Sequence, residues 1–247
     1  LGDVYKRQGG VRTTATYPFP TEDMPEGYFT FRVGVKGLTG GHSGDDINKK
    51  RGNANKILVR FLNQEMEKMD LRVVDIQSGG LHNAIPREGY AICAVPMNMK
   101  EQVRVDLNVF TAEVEEELAV TEKGILLSLD SCEPAAKVME KQAMRKMLLS
   151  LHAVYNGVFA MSQDIDWLVE TSTNLASIHV EGDKVVVTTS QRSSIGSACQ
   201  HMASVVRAAF ELGGAEVLTN EGYPGWKLNP NSEIVKIAKE SYVELFG

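Results

Sequence analysis

His42 is the residue in this sequence whose setting most favours chemistry. It lies in a glycine-rich turn that also contains Gly37, Gly40, Gly41 and Gly44. Glycine lets the backbone adopt positive φ angles and approach a ligand closely. A histidine in such a turn can donate a hydrogen bond or a proton near neutral pH. The turn therefore predicts that His42 is a catalytic residue, and the alternative left open is a surface histidine in an ordinary strand-to-helix loop.

Asn83 and Arg192 are candidate substrate-binding residues. Asn83 lies in the segment LHNAIPRE between two predicted strands, where its amide could bond a peptide carbonyl or its own backbone turn. Arg192 ends a predicted hairpin, and a guanidinium at a strand end suits bidentate capture of a carboxylate. A turn residue and a surface ion pair remain the respective alternatives.

Other classes of site find little support in the sequence. The five histidines show no HxxxH or HExxH spacing, so no metal site is expected within this chain. No G-x-S-x-G motif occurs, and no GK[ST] follows the glycine turn, which disfavours a serine nucleophile elbow and a P-loop. The three cysteines lack CxxC spacing and are expected to be reduced thiols.

Composition narrows the range of partners. The chain has 247 residues and a net charge of −6, and its longest basic run is only Lys49-Lys50-Arg51. A nucleic-acid-binding protein needs a concentrated basic face, and no apolar stretch reaches the length of a membrane span. We therefore expect a cytoplasmic protein with no nucleic-acid or membrane partner.

The residue pattern predicts an α+β fold built from two similar units. The first has the strand-helix order β-α-β-β-α-β, over residues 28–36, 54–66, 71–77, 90–95, 103–118 and 125–129. The second has a helix over residues 134–151 with Pro134 in its first turn, strands over 173–180 and 184–192, a helix over 202–210 and a strand over 215–219. We expect a duplicated ferredoxin-like fold with its helices on one face of an antiparallel sheet.

The predicted domain organisation has three parts. Residues 1–8 do not join smoothly to the rest of the chain and are expected to be a non-native leader. Residues 9–220 form the duplicated domain, with units at about 28–130 and 134–220. Residues 221–247 form a linker and the first helix of a further domain.

Three segments carry a family resemblance when taken together and in order. GLTGGHSGDDINKKRGNANKILVRFL, LHNAIPRE and YPGWKLNPNS resemble bacterial aminoacyl-histidine dipeptidases, the Xaa-His dipeptidases that include carnosine-hydrolysing enzymes. These enzymes belong to the zinc-dependent co-catalytic metallopeptidases. The resemblance covers about residues 9 to 247. It implies that the chain is a fragment, comprising the lid domain and the first helix of the returning catalytic domain.

The resemblance also implies roles for the candidate residues. His42 matches the lid histidine that stabilises the oxyanion, while Asn83 and Arg192 match the residues that hold the substrate backbone and its carboxylate. The family uses water activated by two divalent metal ions, which are expected to be zinc. The ligands of these ions and the general-base glutamate lie in family segments that are not found in this chain. The resemblance thus predicts a metallodipeptidase parent that acts on a dipeptide substrate, a homodimer as a possible assembly, and an inactive fragment. The competing hypothesis is a non-catalytic ferredoxin-like dimerisation or interaction module.

Overall fold

The computed structural model of the chain describes residues 8–225 and 233–246. All but the last residue of the predicted leader, and residues 226–232 of the predicted linker, lie outside the described residues. None of the helices within the described ranges combines the length and the hydropathy needed to cross a bilayer.

Thirteen strands and five α-helices occur in the described part of the chain. The strands are Gly9–Pro18 (β1), Thr21–Asp23 (β2), Tyr28–Lys36 (β3), Gly41–His42 (β4), Arg72–Gly79 (β5), Ala84–Ile85 (β6), Gly89–Pro96 (β7), Leu126–Ser131 (β8), Lys137–Met139 (β9), Gly157–Met161 (β10), Val169–Glu181 (β11), Lys184–Ser193 (β12) and Glu216–Thr219 (β13). The helices are Ala54–Lys68 (α1), Lys100–Glu117 (α2), Lys141–Ala153 (α3), Gly196–Leu212 (α4) and Glu233–Phe246 (α5).

Nine strands form one antiparallel sheet. Its order is β13-β1-β12-β11-β5-β7-β3-β8, with β10 paired to β11. The strands β3, β5, β7 and β8 follow the ferredoxin-like order, since the fourth strand lies beside the first and the third beside the second. β1, β11, β12 and β13 repeat that order, so the predicted duplicated ferredoxin-like fold is confirmed.

The two units are nested in the chain rather than placed end to end. β1 lies between β12 and β13 in the sheet, although it precedes the whole first unit in sequence. Ser177, Ile178 and His179 of β11 pair with residues of β5 and join the two half-sheets. We propose that the domain consists of two units, in which residues 28–130 form the first unit and are inserted after the first strand of the second unit.

The helices pack side by side on the sheet because their apolar stripes and the inward residues of the strands share one core. α1 contacts α2 on one side and α3 on the other, and α3 contacts α4. On β3 the alternating residues Phe31 and Val33 point into this core, while Arg32 between them is exposed. Phe61 of α1 meets Phe110 of α2 with ring centroids 5.4 Å apart.

One predicted helix begins later than the sequence suggested. The prediction that it starts at Pro134 is wrong, because residues Lys137–Met139 form β9 and pair with β2. The helix α3 starts at Lys141, where the side chain of Glu140 accepts hydrogen bonds from the backbone N–H groups of Gln142 and Ala143. Proline is tolerated in a first helical turn but does not require one, whereas a carboxylate cap satisfies two free donors.

The segment GNANK ties α1 to the second unit. Asn53 caps α1 through its side-chain oxygen, which accepts from the Lys56 N–H, and its amide donates to the Leu175 carbonyl at 3.0 Å. Asn55 donates to the same carbonyl at 2.9 Å. The Lys56 ammonium donates to three carbonyls at the end of α3, those of Leu151, His152 and Val154. These residues hold the base of the histidine-bearing loop against both units.

Candidate functional site

The loop that carries His42, residues 37–53 (the His42 loop), is shaped by short-range backbone pairing. Gly41 and His42 form β4, which pairs with β6 of the segment containing Asn83. The Ser43 N–H donates to the Asn83 carbonyl at 2.8 Å. The Asp46 carboxylate accepts from the His42 N–H at 2.8 Å. These bonds place the histidine beside Asn83, although the two are about forty residues apart in the sequence.

Gly41 is required because of both its backbone angle and its neighbours. Its φ is +143°, and a Cβ atom added there would lie 2.3 Å from Arg51 Nη1 and 2.4 Å from Asp46 Oδ2. Arg51 and Asp46 lie 3.4 Å apart as an ion pair, and Arg51 also donates to the Gly40 carbonyl at 2.5 Å. A hydrogen bond from Lys49, together with the His42 N–H, lowers the pKa of Asp46 below its usual value. The carboxylate therefore stays ionised and holds the turn closed.

The hydrogen bonds of His42 assign the position of its ring proton. Its Nδ1 lies 3.3 Å from the backbone nitrogens of both Gly44 and Asp45, which donate to it. A ring nitrogen that accepts cannot carry the proton of a neutral imidazole, so that proton is on Nε2. The Asp45 carboxylate lies 3.6 Å from Nδ1, beyond hydrogen-bond reach. In its neutral form the ring therefore has its N–H donor at Nε2, the nitrogen that does not accept from Gly44 and Asp45.

Glu122 fastens both ends of the His42 loop, a role that no sequence pattern indicates. The carboxylate is only 3% exposed. One oxygen accepts from the Thr39 N–H at 2.7 Å and the other accepts from the Gly52 N–H at 2.8 Å. A lone glutamate just after a helix has no distinguishing pattern, so only the folded chain reveals it.

Arg192 bridges three distant segments of the chain. It lies on β12, between Gly10 of β1 and Ser172 of β11. Its Nη1 donates to the Tyr223 hydroxyl at 2.8 Å, and its Nε lies 3.4 Å from Ser43 Oγ. Within the described residues its Nη2 has no hydrogen-bond partner. The guanidinium is therefore fixed on two sides and open on the third.

All three residues predicted from the sequence line one cleft. This cleft of about 480 Å³ is bounded by His42, Asn83, Arg192 and residues of β1, β12 and the segment after β13. The roles predicted for these three residues stay predictions. Because the three side chains line the same cleft, one substrate could contact all of them. His42 and Arg192 also line an adjoining cleft of about 320 Å³, which includes Trp167.

The cleft is electrostatically suited to an anion. Among the described residues that line it are Arg12, Arg192, His42 and His82, and no carboxylate. Burial, and then the positive charges of Arg12 and Arg192, lower the pKa of His82. The lowered pKa favours the neutral form of His82, while the two guanidiniums stay charged, on a protein whose net charge is −6. Sequence reasoning missed Arg12, His82 and Tyr223, whose contribution depends on strands pairing across the whole chain.

The described residues do not fit a metal centre. They contain no group of three or more His, Cys, Asp or Glu side chains arranged to hold a metal ion. The side chains that line the cleft offer hydrogen bonding and charge pairing to a polar, anionic ligand.

Comparisons with known proteins find similarity to peptidases. Residues 26–122 match the family model described as the peptidase dimerisation domain. The chain is 35% identical over its 247 residues to the cytosol non-specific dipeptidase of Escherichia coli strain K12, of which it covers 51%. It also matches the crystal structure of aminoacylhistidine dipeptidase from Vibrio alginolyticus, with 34% identity and a TM-score of 0.93, over 98% of this chain and 50% of that one.

The chain spans about half the length of these two relatives. The similarity extends across both units and is not limited to the matched domain. The resemblance of this chain to aminoacyl-histidine dipeptidases is thereby confirmed, with residues 26–122 matching the peptidase dimerisation domain.

Proposed function

We propose that this chain is the substrate-clamping lid portion of a metallodipeptidase that hydrolyses Xaa-His-type dipeptides. The observation that carries the proposal is that His42, Asn83 and Arg192 line one cleft to which the described residues contribute no carboxylate. The names of the two relatives support the dipeptidase class. The E. coli relative is named as a cytosol protein, and we propose the same compartment here.

The proposal assigns one role to each of the three side chains. The Nε2–H of His42 donates to the oxyanion that develops on the scissile carbonyl, which is the usual task of such a preorganised donor. Arg192 pairs with the C-terminal carboxylate through its open edge. The Asn83 amide bonds the substrate backbone. The two divalent ions of the proposed enzyme would supply activated water, and we propose, from the family resemblance, that their ligands lie in segments outside this chain.

A chimera tests the proposed roles. The matching half of the E. coli dipeptidase is replaced by this chain, and hydrolysis of β-alanyl-histidine is followed. We expect His42→Ala to lower kcat about 10²- to 10³-fold with little change in KM, since one oxyanion donor is lost. Arg192→Gln is expected to act mainly on KM. His201→Ala, at an exposed position of α4 outside the cleft, is the matched control.

Two results would contradict parts of this proposal, and a third identifies the subunit that His42 serves. If His42→Ala is no slower than His201→Ala, His42 has no catalytic role. Hydrolysis of β-alanyl-histidine (carnosine) by the unmodified 247-residue chain with added zinc would overturn the prediction that this chain is inactive alone. If mixing His42→Ala with a variant disabled outside this chain restores substantial activity, His42 serves a neighbouring subunit rather than its own.

Dimerisation is the second candidate function. It is favoured by the match of residues 26–122 to the peptidase dimerisation domain. The two functions are compatible, because a doubled lid can both clamp a substrate and pair with another copy. Light scattering of the purified chain across a concentration series decides whether it forms a homodimer.

A further inference from the structure

Tyr223 lies in the cleft wall beside Arg192, on a segment that the sequence marked only as a linker. Its hydroxyl accepts a hydrogen bond from Arg192 Nη1 at 2.8 Å. The side chain is 53% exposed, so its burial does little for the core. The contact is the main polar interaction that the structure assigns to this ring.

Two glycines determine where the Tyr223 hydroxyl sits. The backbone groups of Gly10 and Tyr223 exchange two hydrogen bonds of 3.0 Å, which form an isolated bridge outside the main strands. A Cβ atom on Gly10 would lie 3.0 Å from the tyrosine hydroxyl oxygen, so the ring rests directly on the Gly10 backbone. Gly222, with φ of +70°, would place a Cβ only 2.3 Å from the Gly10 carbonyl oxygen. Larger residues at either position would displace the ring.

Ser43 holds Arg192 from the opposite side. Its hydroxyl oxygen lies 3.4 Å from Arg192 Nε, and Ser43 is 1% exposed. Because Ser43 follows His42 directly, the arginine is placed between the histidine turn and the tyrosine. A long side chain on a strand otherwise samples many rotamers, and fixing it before a ligand arrives lowers the entropy lost on binding.

We infer that Tyr223 is a positioning residue that preorganises Arg192 for a substrate carboxylate. The identity of the ligand in this inference rests on the proposed function. The contact between Tyr223 and Arg192 is observed in the ligand-free chain. Tyr223 does not touch the reacting atoms and is not a catalytic residue. A purely structural role would depend on packing of the Tyr223 ring against the Gly10 backbone, whereas the positioning role depends on the Tyr223 hydroxyl.

Tyr223→Phe separates these two roles because it keeps the ring and removes only the hydroxyl. Tyr155→Phe is the matched control: its hydroxyl donates to the Val158 carbonyl at 2.5 Å and is exposed, and Tyr155 does not line the cleft. The first measurement is the NMR order parameter of the Arg192 Nε–Hε group in the ligand-free chain. The second is the affinity of the chain for β-alanyl-histidine and for its C-terminal amide.

We expect Tyr223→Phe to lower the Arg192 order parameter. It should also weaken binding of the free acid about three- to tenfold, the size of one typical net hydrogen bond, with binding of the amide unchanged. Tyr155→Phe should match the wild type in both measurements. An unchanged Arg192 order parameter in Tyr223→Phe, or equal losses for acid and amide, would overturn the inference.

The two proposals fail in different ways. If the wild-type chain does not distinguish the acid from its amide, the carboxylate clamp of the proposed function is wrong. The ligand-free order parameter still decides whether Tyr223 orders Arg192, because that measurement needs no substrate.

Discussion

Replacing Glu122 with glutamine should loosen the His42 loop without removing any group from the cleft. The carboxylate is 3% exposed and accepts one N–H at each end of the loop, from Thr39 at 2.7 Å and from Gly52 at 2.8 Å. A hydrogen bond to a charged group contributes about 1.5–3 kcal/mol. Glutamine keeps one neutral bond of about 1 kcal/mol and turns an NH₂ group towards the other N–H. The expected loss is about 2–5 kcal/mol.

This loss should appear as local opening of the loop before global unfolding. Amide hydrogen exchange at Ser43 and Asp46, whose N–H groups bond Asn83 and His42, should accelerate about thirtyfold or more. Urea unfolding measures the change in the free energy of global unfolding. Glu116→Gln is the matched control at an exposed helical position, expected within about 0.5 kcal/mol of wild type. If amide hydrogen exchange and urea unfolding are the same in Glu122→Gln as in Glu116→Gln, Glu122 does not hold the His42 loop.

Two further predictions concern the same loop and its base. Gly41→Ala should cost about 1–3 kcal/mol more in urea unfolding than Gly27→Ala. Both glycines have positive φ, but a Cβ meets nothing within 4 Å at Gly27 and lies 2.3 Å from Arg51 at Gly41; equal costs would contradict the steric reasoning. Burial lowers the pKa of Lys56 to about 8 from 10.5, so between these values the unfolded chain binds more protons and stability rises with pH. The free energy of unfolding of wild type minus that of Lys56→Met should therefore increase from pH 8 to 10.5, and a flat difference would contradict burial as the cause.

The strands and helices were largely predictable because hydrophobic periodicity is a local property. Alternation along β3 and the apolar stripe of α1 each need only one segment to be read. The exception was the start of α3, which depends on β9 pairing with β2, a strand from a distant part of the chain. No local pattern around Pro134 reports that distant partner.

The sequence by itself determined the character of the His42 turn, because glycines and a histidine act through their own backbone and ring. It also indicated Asn83 and Arg192 as polar side chains suited to a substrate. Only the tertiary structure decided that the three meet, since Arg192 and Ser43 are separated by 149 positions.

The tertiary structure also decided what supports the site. Glu122 clamps the His42 loop, and Tyr223 fastens Arg192, through contacts between segments that carry no shared motif. β1 reaches its place between β12 and β13 only because the first unit folds as an insertion. Sheet pairing and polar contacts form between residues that packing brings together, so they are properties of the folded chain rather than of any one segment.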